Sequence, residues 1–387
     1  FYNAYLALGI LEVGTPFLDK STLTPNWYEG LYNKDLCWEE TDQYDLGVDL
    51  NFLDNRLQIT ADYYYRYTDK LLTLIQTNGL IGYENLWTNA AAISNEGYEF
   101  LIKYEIFRRP DLYWKASANG AKNWNTYRKS YTGMDDLHGV IGRPLNQIYA
   151  YKTNGFYDSQ DEVPVYYNNR GNTMFLRYGT GDRQTYSFMA GDFKITDMNN
   201  DDIINNKDKI ASGSALPDFS GGILNEFRWK NFDLNILFTY QLGRHMIYKP
   251  KYNSMNVGNI FWNINQANKP LLLNLKKEKF WEKPGDRNCM PKINSTFYGF
   301  SSDVDVYIEK VNWMKFKTVT MGYSLPSFIS KKMKMEEFRV FISGENLWTF
   351  TNYSGLDPET VDIATGIDNG VAYPLARKIS IGLTLKF

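Results

Sequence analysis

ISIGLTLKF, residues 379–387, closes the chain with an apolar residue at every odd position and a polar or small residue at every even position. Side chains of a β-strand alternate between its two faces, so this segment has one apolar face and one polar face. Such a strand either exposes its apolar face to hydrocarbon or is a half-buried strand of a soluble β-sandwich. The rest of the sequence favours the first interpretation.

The same two-residue period recurs in several other segments. Apolar and polar residues alternate in 43–52, in 57–67 and in 232–242. These segments contain about ten residues or more, whereas strands of globular proteins usually have about five or six. A tilted strand needs about 9 to 11 residues to cross a bilayer. The repetition therefore predicts an all-β fold, an antiparallel transmembrane β-barrel.

The composition agrees with a barrel and excludes two other classes. Aromatic residues make up 16% of the 387 residues, with 30 Tyr and 10 Trp, and Tyr and Trp are enriched at both membrane interfaces. The mean hydropathy is -0.45, and no run approaches the roughly 18 apolar residues of a membrane helix, which argues against a helical membrane protein. The net charge of -2 gives no basic surface for nucleic acid.

About nine strands are predicted, and the connections between them are alternately short and long. The predicted strands are residues 43–53, 56–68, 91–107, 112–127, 215–229, 231–245, 306–324, 337–350 and 376–387. The long connections are roughly 69–89, 128–214, 246–304 and 351–375. Barrels of the bacterial outer membrane have short periplasmic turns and long outer loops, so we expect the long connections to face outside and to carry binding.

An odd number of strands does not close a bacterial single-chain barrel. An open edge in lipid leaves backbone groups unpaired, at a cost of several kcal/mol each. The first residue, Phe1, is not an initiator Met, and no signal peptide is apparent. We therefore expect residues 1–387 to be the C-terminal portion of a larger barrel.

Several stretches, in order along almost the whole chain, resemble the C-terminal half of the SusC/RagA-type TonB-dependent outer-membrane transporters of Bacteroidota. They are NKDLCWE at 33–39, WMKFKTVTMGYSLP at 313–326, SGENLWTFTNYSGLDP at 343–358 and the final strand. The segments 191–208 and 216–222 fit the same pattern. The chain is identified on these residues as a member of that family.

The resemblance implies a barrel of about 22 strands with a plug in its lumen. It also implies a segment that contacts TonB and, through it, ExbB and ExbD, and a SusD-like lipoprotein over the outer mouth. The implied activity is active import of an oligosaccharide, or in some members a peptide. The plug, the TonB-contacting segment and the first barrel strands are expected outside this chain.

Two alternatives come from other functional classes, a passive porin and an outer-membrane enzyme or adhesin. The sequence contains no GxSxG, HExxH, GxGxxG or Walker motif, and these are common signatures of catalytic and nucleotide sites. We therefore expect no enzyme.

The clearest local chemical motif is DMNNDDIINNKD, residues 197–208. Its oxygen side chains and one backbone carbonyl follow the spacing of a calcium loop of EF-hand type. The predicted calcium ligands are Asp197, Asn199, Asp201, the carbonyl of Ile203, Asn205 and Asp208. Asp202 replaces the glycine of the sixth position, and Asp208 replaces the bidentate Glu of the last. The alternative is a solvated acidic turn held by side-chain to backbone hydrogen bonds.

The other candidate residues carry less information. His138 and His245 match no metal-ligand or catalytic spacing. Cys37 and Cys289 fall in predicted outer loops, where an oxidising compartment permits a disulfide but their spacing does not require one.

Two further groups of residues have both a functional and a structural interpretation. Aromatic residues of the loops either stack on cargo or fill the cores of the loops, and we favour the second: Tyr166, Tyr167, Trp262 and Trp281. Polar residues of the strands either touch a passing solute or are hydrated or paired residues of the lumen wall, and we again favour the second: Asp45, Asp49, Asp62, Asp233 and Arg66.

Overall fold

The computed structural model describes most of the chain. The described residues are 11–17, 20–25, 33–76, 85–131, 133, 139–167, 173–180, 183–255, 279–287, 289–292 and 303–387. The chain divides into two units, the first Phe1–Ile106 with Lys115–Leu145 and the second Phe107–Trp114 with Asn146–Phe387. Most of the described residues are in β-strands. None of the described helices is long and apolar enough to cross a membrane.

The first unit contains a hairpin and a sheet of long antiparallel strands. The strands are β1 (Leu11–Phe17), β2 (Lys20–Pro25), β3 (Glu40–Phe52), β4 (Leu57–Gln76), β5 (Asn85–Arg109) and β6 (Leu112–Lys129). β1 pairs with β2, and the sheet has the order β6-β5-β4-β3. The ends of β5 and β6 around their connecting turn belong to the second unit.

The described residues of the second unit form five long strands, ten short strands and two α-helices. The short strands are β7 (Gln147–Tyr151), β8 (Thr153–Phe156), β9 (Val165–Tyr167), β10 (Thr173–Phe175), β11 (Arg177–Thr180), β12 (Arg183–Ser187), β13 (Phe193–Ile195), β14 (Ile203–Ile204), β15 (Lys209–Ser214) and β20 (Ile367–Asp368). The long strands are β16 (Phe219–Trp229), β17 (Phe232–Tyr248), β18 (Ile308–Ser324), β19 (Glu337–Thr351) and β21 (Lys378–Lys386). The helices are α1 (Lys249–Met255) and α2 (Ser327–Lys332). The long strands have the order β21-β19-β18-β17-β16.

The all-β antiparallel prediction is confirmed, and nine long strands of the described chain match the nine predicted segments. The predicted loop 69–89 is wrong at both ends, because β4 and β5 continue pairing as far as Gln76 opposite Asn85. Register shifts between Thr68 and Thr73 interrupt the ladder there, and Lys70 has a positive φ of 55°. Such bulges break the two-residue period, so the alternation was lost although the strand continues.

One face of the long strands in the second unit is apolar from strand to strand. Cross-strand pairing aligns two rows, Phe232, Tyr323, Val340 and Leu383, and Leu234, Met321, Ile342 and Ile381. The side chains are well exposed, with 45% for Phe232, 50% for Met321 and 76% for Ile381. In the first unit, β3 exposes Tyr44, Leu46, Val48, Leu50 and Phe52 in the same way. We call this the apolar face and the opposite one the polar face.

The connections at one end of the second unit are short and hydrogen-bonded to one another. They are residues 110–111 between β5 and β6, 230–231 between β16 and β17, and 325–336 between β18 and β19, which includes α2. Lys230 N–H donates to the Asp111 carbonyl at 2.9 Å and Ser324 N–H to the Asn231 carbonyl at 2.9 Å. We call this end the short-turn end.

The long connections of the second unit fold around a hydrophobic core of their own. Tyr151, Tyr157, Phe188, Ile204 and Val304 are 0–2% exposed and belong to one cluster, which we call the loop core. Trp281 also lies in it and is 6% exposed, as the favoured interpretation of the loop aromatics predicts. Tyr166 is partly buried, whereas Trp262 and the side chain of Tyr167 lie outside the described residues.

On the polar face, an ion pair depends on a glycine. Arg339 donates from Nε and Nη2 to the two carboxylate oxygens of Asp233 at 3.0 and 2.5 Å. The pair crosses β18 at Gly322, which stands opposite Asp233 on one side and Phe341 on the other. A Cβ at residue 322 would overlap both charged groups. Residue 322 is therefore a glycine because the ion pair occupies the space that a side chain would need.

We expect Gly322→Ala to lower the free energy of unfolding by about 1–3 kcal/mol, because the added methyl group separates Arg339 from Asp233. The measurement is equilibrium unfolding in guanidinium chloride of the detergent-refolded protein. The control is the same substitution in an Asp233→Ala, Arg339→Ala background, where we expect it to cost much less. An equal cost in both backgrounds contradicts this role of Gly322.

Candidate functional site

The polar face of the first unit contains an open depression of about 540 Å³. Eight polar side chains line it: Gln43, Asp45, Asp62, Tyr64, Arg66, Asn95, Glu99 and Asn123. Arg66 donates to the Gln43 side-chain oxygen from Nε at 3.2 Å and from Nη2 at 3.0 Å. The Tyr64 hydroxyl donates to Asn123 Oδ1 at 2.9 Å. With three carboxylates and one guanidinium, the depression is acidic and rich in hydrogen-bonding groups.

Two glycines give the side chains of the depression their room. Gly47 stands opposite Asp62 and Gly97 opposite Tyr64 in the strand register. A Cβ at residue 47 would overlap the Asp62 carboxylate, and one at residue 97 would overlap the Tyr64 hydroxyl. Two of the large polar side chains of β4 in the depression, Asp62 and Tyr64, therefore each face a residue without a side chain.

The five predicted wall residues all lie on the polar face of their unit. Asp45, Asp62 and Arg66 line the depression. Asp49 accepts a hydrogen bond from the Thr60 hydroxyl at 2.7 Å, and Asp233 is paired with Arg339. Asp49, Asp233 and Arg66 are therefore paired, as the favoured interpretation expects, and their position on a lumen wall stays a prediction.

In the second unit, a segment of the connection between β19 and β21 is bound to the polar face of β17 and β18. We call this segment, residues 352–370, the strap. Lys315 Nζ lies 3.0 Å from both carboxylate oxygens of Asp357 and 2.6 Å from Glu359 Oε2. Lys317 Nζ lies 2.6 Å from Glu359 Oε1. Two lysines of β18 thus hold two carboxylates of the strap.

A second buried cation contacts the strap through carbonyl groups. Arg244 of β17 is 1% exposed and donates to the Ala215 carbonyl at 2.8 Å and the Val361 carbonyl at 3.2 Å, and also to the Asp362 carbonyl. β20 adds a parallel backbone pairing with β17. An isolated buried charge costs several kcal/mol, so Arg244 and Lys315, itself 1% exposed, depend on the strap for their partners.

Apolar packing and two ionisable side chains, Tyr353 and Glu359, also hold the strap against β17 and β18. Tyr353 and Val361 of the strap pack with Met246, Tyr248, Val311 and Trp313. Burial and a hydrogen bond to Asp368 raise the pKa of Tyr353, so its hydroxyl stays a donor. Burial alone raises the pKa of Glu359, but hydrogen bonds from Lys315 and Lys317 bring it below its ordinary value. Neither the ion pairs nor Arg244 was identified from the sequence.

The predicted calcium loop is a hydrogen-bonded turn in the second unit. Asp197 accepts the N–H groups of Asn200 and Asp202 at 2.7 and 2.9 Å. Asp208 is fully buried and accepts the N–H groups of Met198 and Asn205 at 2.9 and 2.7 Å. Burial raises the pKa of Asp208, and these two bonds offset part of that effect.

The side chains of the other predicted ligands also accept hydrogen bonds from backbone N–H groups of the loop. The Asn199 and Asp201 side chains accept the N–H groups two residues ahead at 3.2 and 3.0 Å, and Asn205 accepts that of Lys207 at 2.9 Å. Asp202 has a φ of 63°, the left-handed conformation that the glycine of a calcium loop supplies. Among the described residues, no three acidic, histidine or cysteine side chains come together closely enough to hold a metal ion. The contacts match the acidic-turn alternative, and the calcium site stays a prediction.

The histidines and cysteines show no shared site in the described residues. His138 lies outside them, and His245 is a partly buried residue of β17 beside Gly213. Cys37 is exposed and Cys289 is partly buried, and neither forms a disulfide in the described residues. Burial raises the pKa of the Cys289 thiol.

Comparison with known proteins identifies similar sequences. The family model described as "TonB dependent receptor-like, beta-barrel" matches residues 13–236, more than half of the chain. The TonB-dependent receptor P3 of Formosa agariphila is 27% identical over 379 residues, which cover 92% of this chain and 35% of that protein. The TonB-dependent receptor SusC of Bacteroides thetaiotaomicron is 26% identical over 373 residues, covering 92% and 33%. The chain therefore spans about a third of the length of these relatives.

Solved structures share the fold. The structure of the RagAB peptide transporter matches with a TM-score of 0.72 at 22% identity and covers 99% of this chain and 39% of that one. The RagAB peptide importer in its "open-open" state matches with a TM-score of 0.69, also at 22% identity, with coverage of 100% and 38%. At this identity the likeness establishes the fold of the chain alone.

We expect Lys315→Met to lower the free energy of unfolding by about 3 kcal/mol, because Asp357 then remains buried without its cation. The matched control is Lys317→Met. Lys317 and Glu359 are 28% and 27% exposed, so we expect this loss to be about 1 kcal/mol or less. Hydrogen exchange of residues 352–370 is the second measurement, and only Lys315→Met is expected to accelerate it. Equal effects of the two substitutions contradict the assignment of Lys315 as the anchor of the strap.

For the loop 197–208, the calcium prediction gives a dissociation constant of about 10⁻⁴ to 10⁻³ M, the range of extracellular calcium modules. Calorimetric titration with Ca²⁺ measures it. Asp201→Ala removes a predicted ligand and is expected to abolish the binding heat. Asp202→Asn removes the same charge from a position that supplies no ligand, and this variant is expected to keep the binding heat. Absence of heat in the unmodified protein assigns the loop to the acidic-turn alternative.

Proposed function

Because the chain belongs to the TonB-dependent receptor-like β-barrel family, a family of outer-membrane β-barrel proteins, we propose that it acts in active import of a nutrient oligomer. In this proposal residues 1–387 are the C-terminal portion of the barrel. The plug and the TonB-contacting segment lie elsewhere in the complete receptor, which TonB, ExbB and ExbD energise. The relatives carry names of receptors and not of enzymes.

The opposite chemistry of the two sheet faces is the observation that carries the proposal. The strands β17 and β18 have 17 residues each, and β19 has 15, so each exceeds the roughly 9 to 11 residues that cross a bilayer. Their apolar face suits hydrocarbon, and their polar face carries charged pairs that suit a hydrated lumen. A route for a polar solute on one side and lipid on the other follows from this arrangement.

The folded loops support a protein partner at the outer mouth. The loop core gives these connections a defined shape, and on their surface Arg287 and Asp158 form a bidentate pair at 3.0 and 2.6 Å. That pair keeps the pKa of Asp158 low, through the Arg287 hydrogen bond first and the Gly285 N–H second. Preformed loops offer a surface that docks a partner without a large ordering cost. We propose a SusD-like lipoprotein as this partner.

For the cargo, we favour an oligosaccharide over an oligopeptide. The depression on the polar face presents carboxylates, amides, a phenol and a guanidinium. Such groups form many hydrogen bonds with a ligand that is rich in hydroxyl groups. An oligopeptide is the second candidate, since the RagAB structures of the same fold are named as a peptide transporter.

Uptake by cells that contain the complete receptor tests the proposal. Labelled oligosaccharides and oligopeptides are supplied to these cells and to a deletion strain, with and without a protonophore. We expect receptor-dependent uptake of one cargo class, lost when the proton gradient is dissipated. Uptake that persists in the protonophore contradicts active import and supports the porin alternative.

A pair of variants tests the depression. We expect Asp62→Asn with Glu99→Gln to reduce uptake at low cargo concentration about tenfold, the effect of losing roughly one charged hydrogen bond. Asp161→Asn with Glu282→Gln makes the same charge change at two exposed residues outside the depression, and we expect unchanged uptake. If both double variants take up the cargo equally, the depression does not lie on the cargo path.

A further inference from the structure

The short-turn end of the second unit has exposed apolar and basic side chains side by side. α2 and the residues after it read SFISKKMK, 327–334. Phe328 is 65% exposed and Met333 is 47% exposed. Side chains of this size are unfavourable in water, so a surface that exposes them beside lysines points to a partner that is both apolar and anionic.

The helix places these groups together. Residues three and four positions apart lie on the same face of a helix, so Phe328 shares a face with Lys331 and Lys332. Lys334 follows with a positive φ of 59° and is also exposed. At this end Glu336 is paired with Lys386 at 2.8 Å and Asp233 with Arg339, and among the described residues no ion pair joins an acid to Lys331, Lys332 or Lys334. These three ammonium groups are available to an external anion.

Along the chain, α2 begins shortly after the last apolar-face residue of β18. Tyr323, in the apolar row nearest to this end, is separated from α2 by three residues. Beside it lie Phe232, with ring centroids 4.6 Å apart, and Trp229, whose ring is 6.5 Å from that of Phe232. Lys230 Nζ lies 5.7 Å from the Trp229 ring. Aromatic residues at the end of a transmembrane strand mark the headgroup level of the membrane.

We propose that Phe328, Lys331, Lys332 and Lys334 bind the phosphate groups of anionic phospholipids in the periplasmic leaflet of the outer membrane. Phe328 enters the boundary between headgroups and acyl chains. The three lysines bury their hydrocarbon stems there and direct their ammonium groups to the phosphates. The short turns of such barrels are periplasmic, which selects this leaflet. The proposal rests on the position of the strands in the membrane and is independent of the imported cargo.

Native mass spectrometry of the complete receptor in mild detergent tests this surface. The receptor is titrated with phosphatidylglycerol or with phosphatidylcholine, and the bound lipid is counted. A lysine near an anionic lipid surface contributes about fivefold in affinity. We expect preferential binding of phosphatidylglycerol that weakens at least tenfold when Lys331, Lys332 and Lys334 are all replaced by Gln. Replacement of all three by Arg is expected to retain the preference.

The matched control replaces Lys152, Lys279 and Lys283 by Gln, three exposed lysines of the long connections, and is expected to bind phosphatidylglycerol normally. Heat-modifiable migration in gel electrophoresis verifies that each variant forms a folded barrel. Equal binding of both lipids, or equal losses in the two Gln variants, overturns the proposal. Unchanged lipid binding in the Lys331, Lys332, Lys334 variant also overturns it and assigns the lysines to a protein partner instead.

Discussion

The hydrocarbon layer offers no hydrogen-bond partner, so every backbone N–H and C=O that enters it must be paired within the sheet. This constraint explains the length and continuity of the ladders, such as the eleven aligned residue pairs of β16 and β17 from Phe219↔Leu242 to Trp229↔Phe232. Register shifts interrupt the pairing of β17 with β18 at two places, between Leu237 and Phe238 and between Gln241 and Arg244. Regular pairing in turn fixes which side chains meet lipid and which meet water.

The polar face must then accommodate charge in a confined space, and it does so with pairs and with glycines. Gly322 makes room for Asp233 and Arg339, and Gly97 for the Tyr64 hydroxyl. The same principle extends to Lys315, whose two carboxylate partners come from the strap. Charged groups on this face are therefore positioned by the residues opposite them, and a single added methyl group is enough to displace them.

The sequence predicted the features that depend on local alternation and missed those that depend on distant pairing. The nine long strands, the polar wall residues and the family followed from period and motifs, because side-chain direction on a strand is a local property. The continuation of β4 past Thr68 was missed because bulges break the period. The strap was missed because Lys315 and Asp357 are 42 residues apart, and neither residue carries a local signal of the other. The burial of Trp281 was not visible in the sequence for the same reason, because it depends on distant residues of the loop core such as Tyr157 and Phe188.

The strap is best regarded as a fixed part of the second unit and not as a gate. Displacing it separates Lys315 from Asp357 and takes the Val361 and Asp362 carbonyls from Arg244, and one such loss costs about 3 kcal/mol or more. An opening of that cost has a population on the order of 1 in 100 or less. The carboxylates of the depression in the first unit are not enclosed in this way, because Asp45, Asp62 and Glu99 line an open space. The strap is therefore a rigid part of the second unit, whereas the carboxylates of the first unit stay open to water or to a ligand.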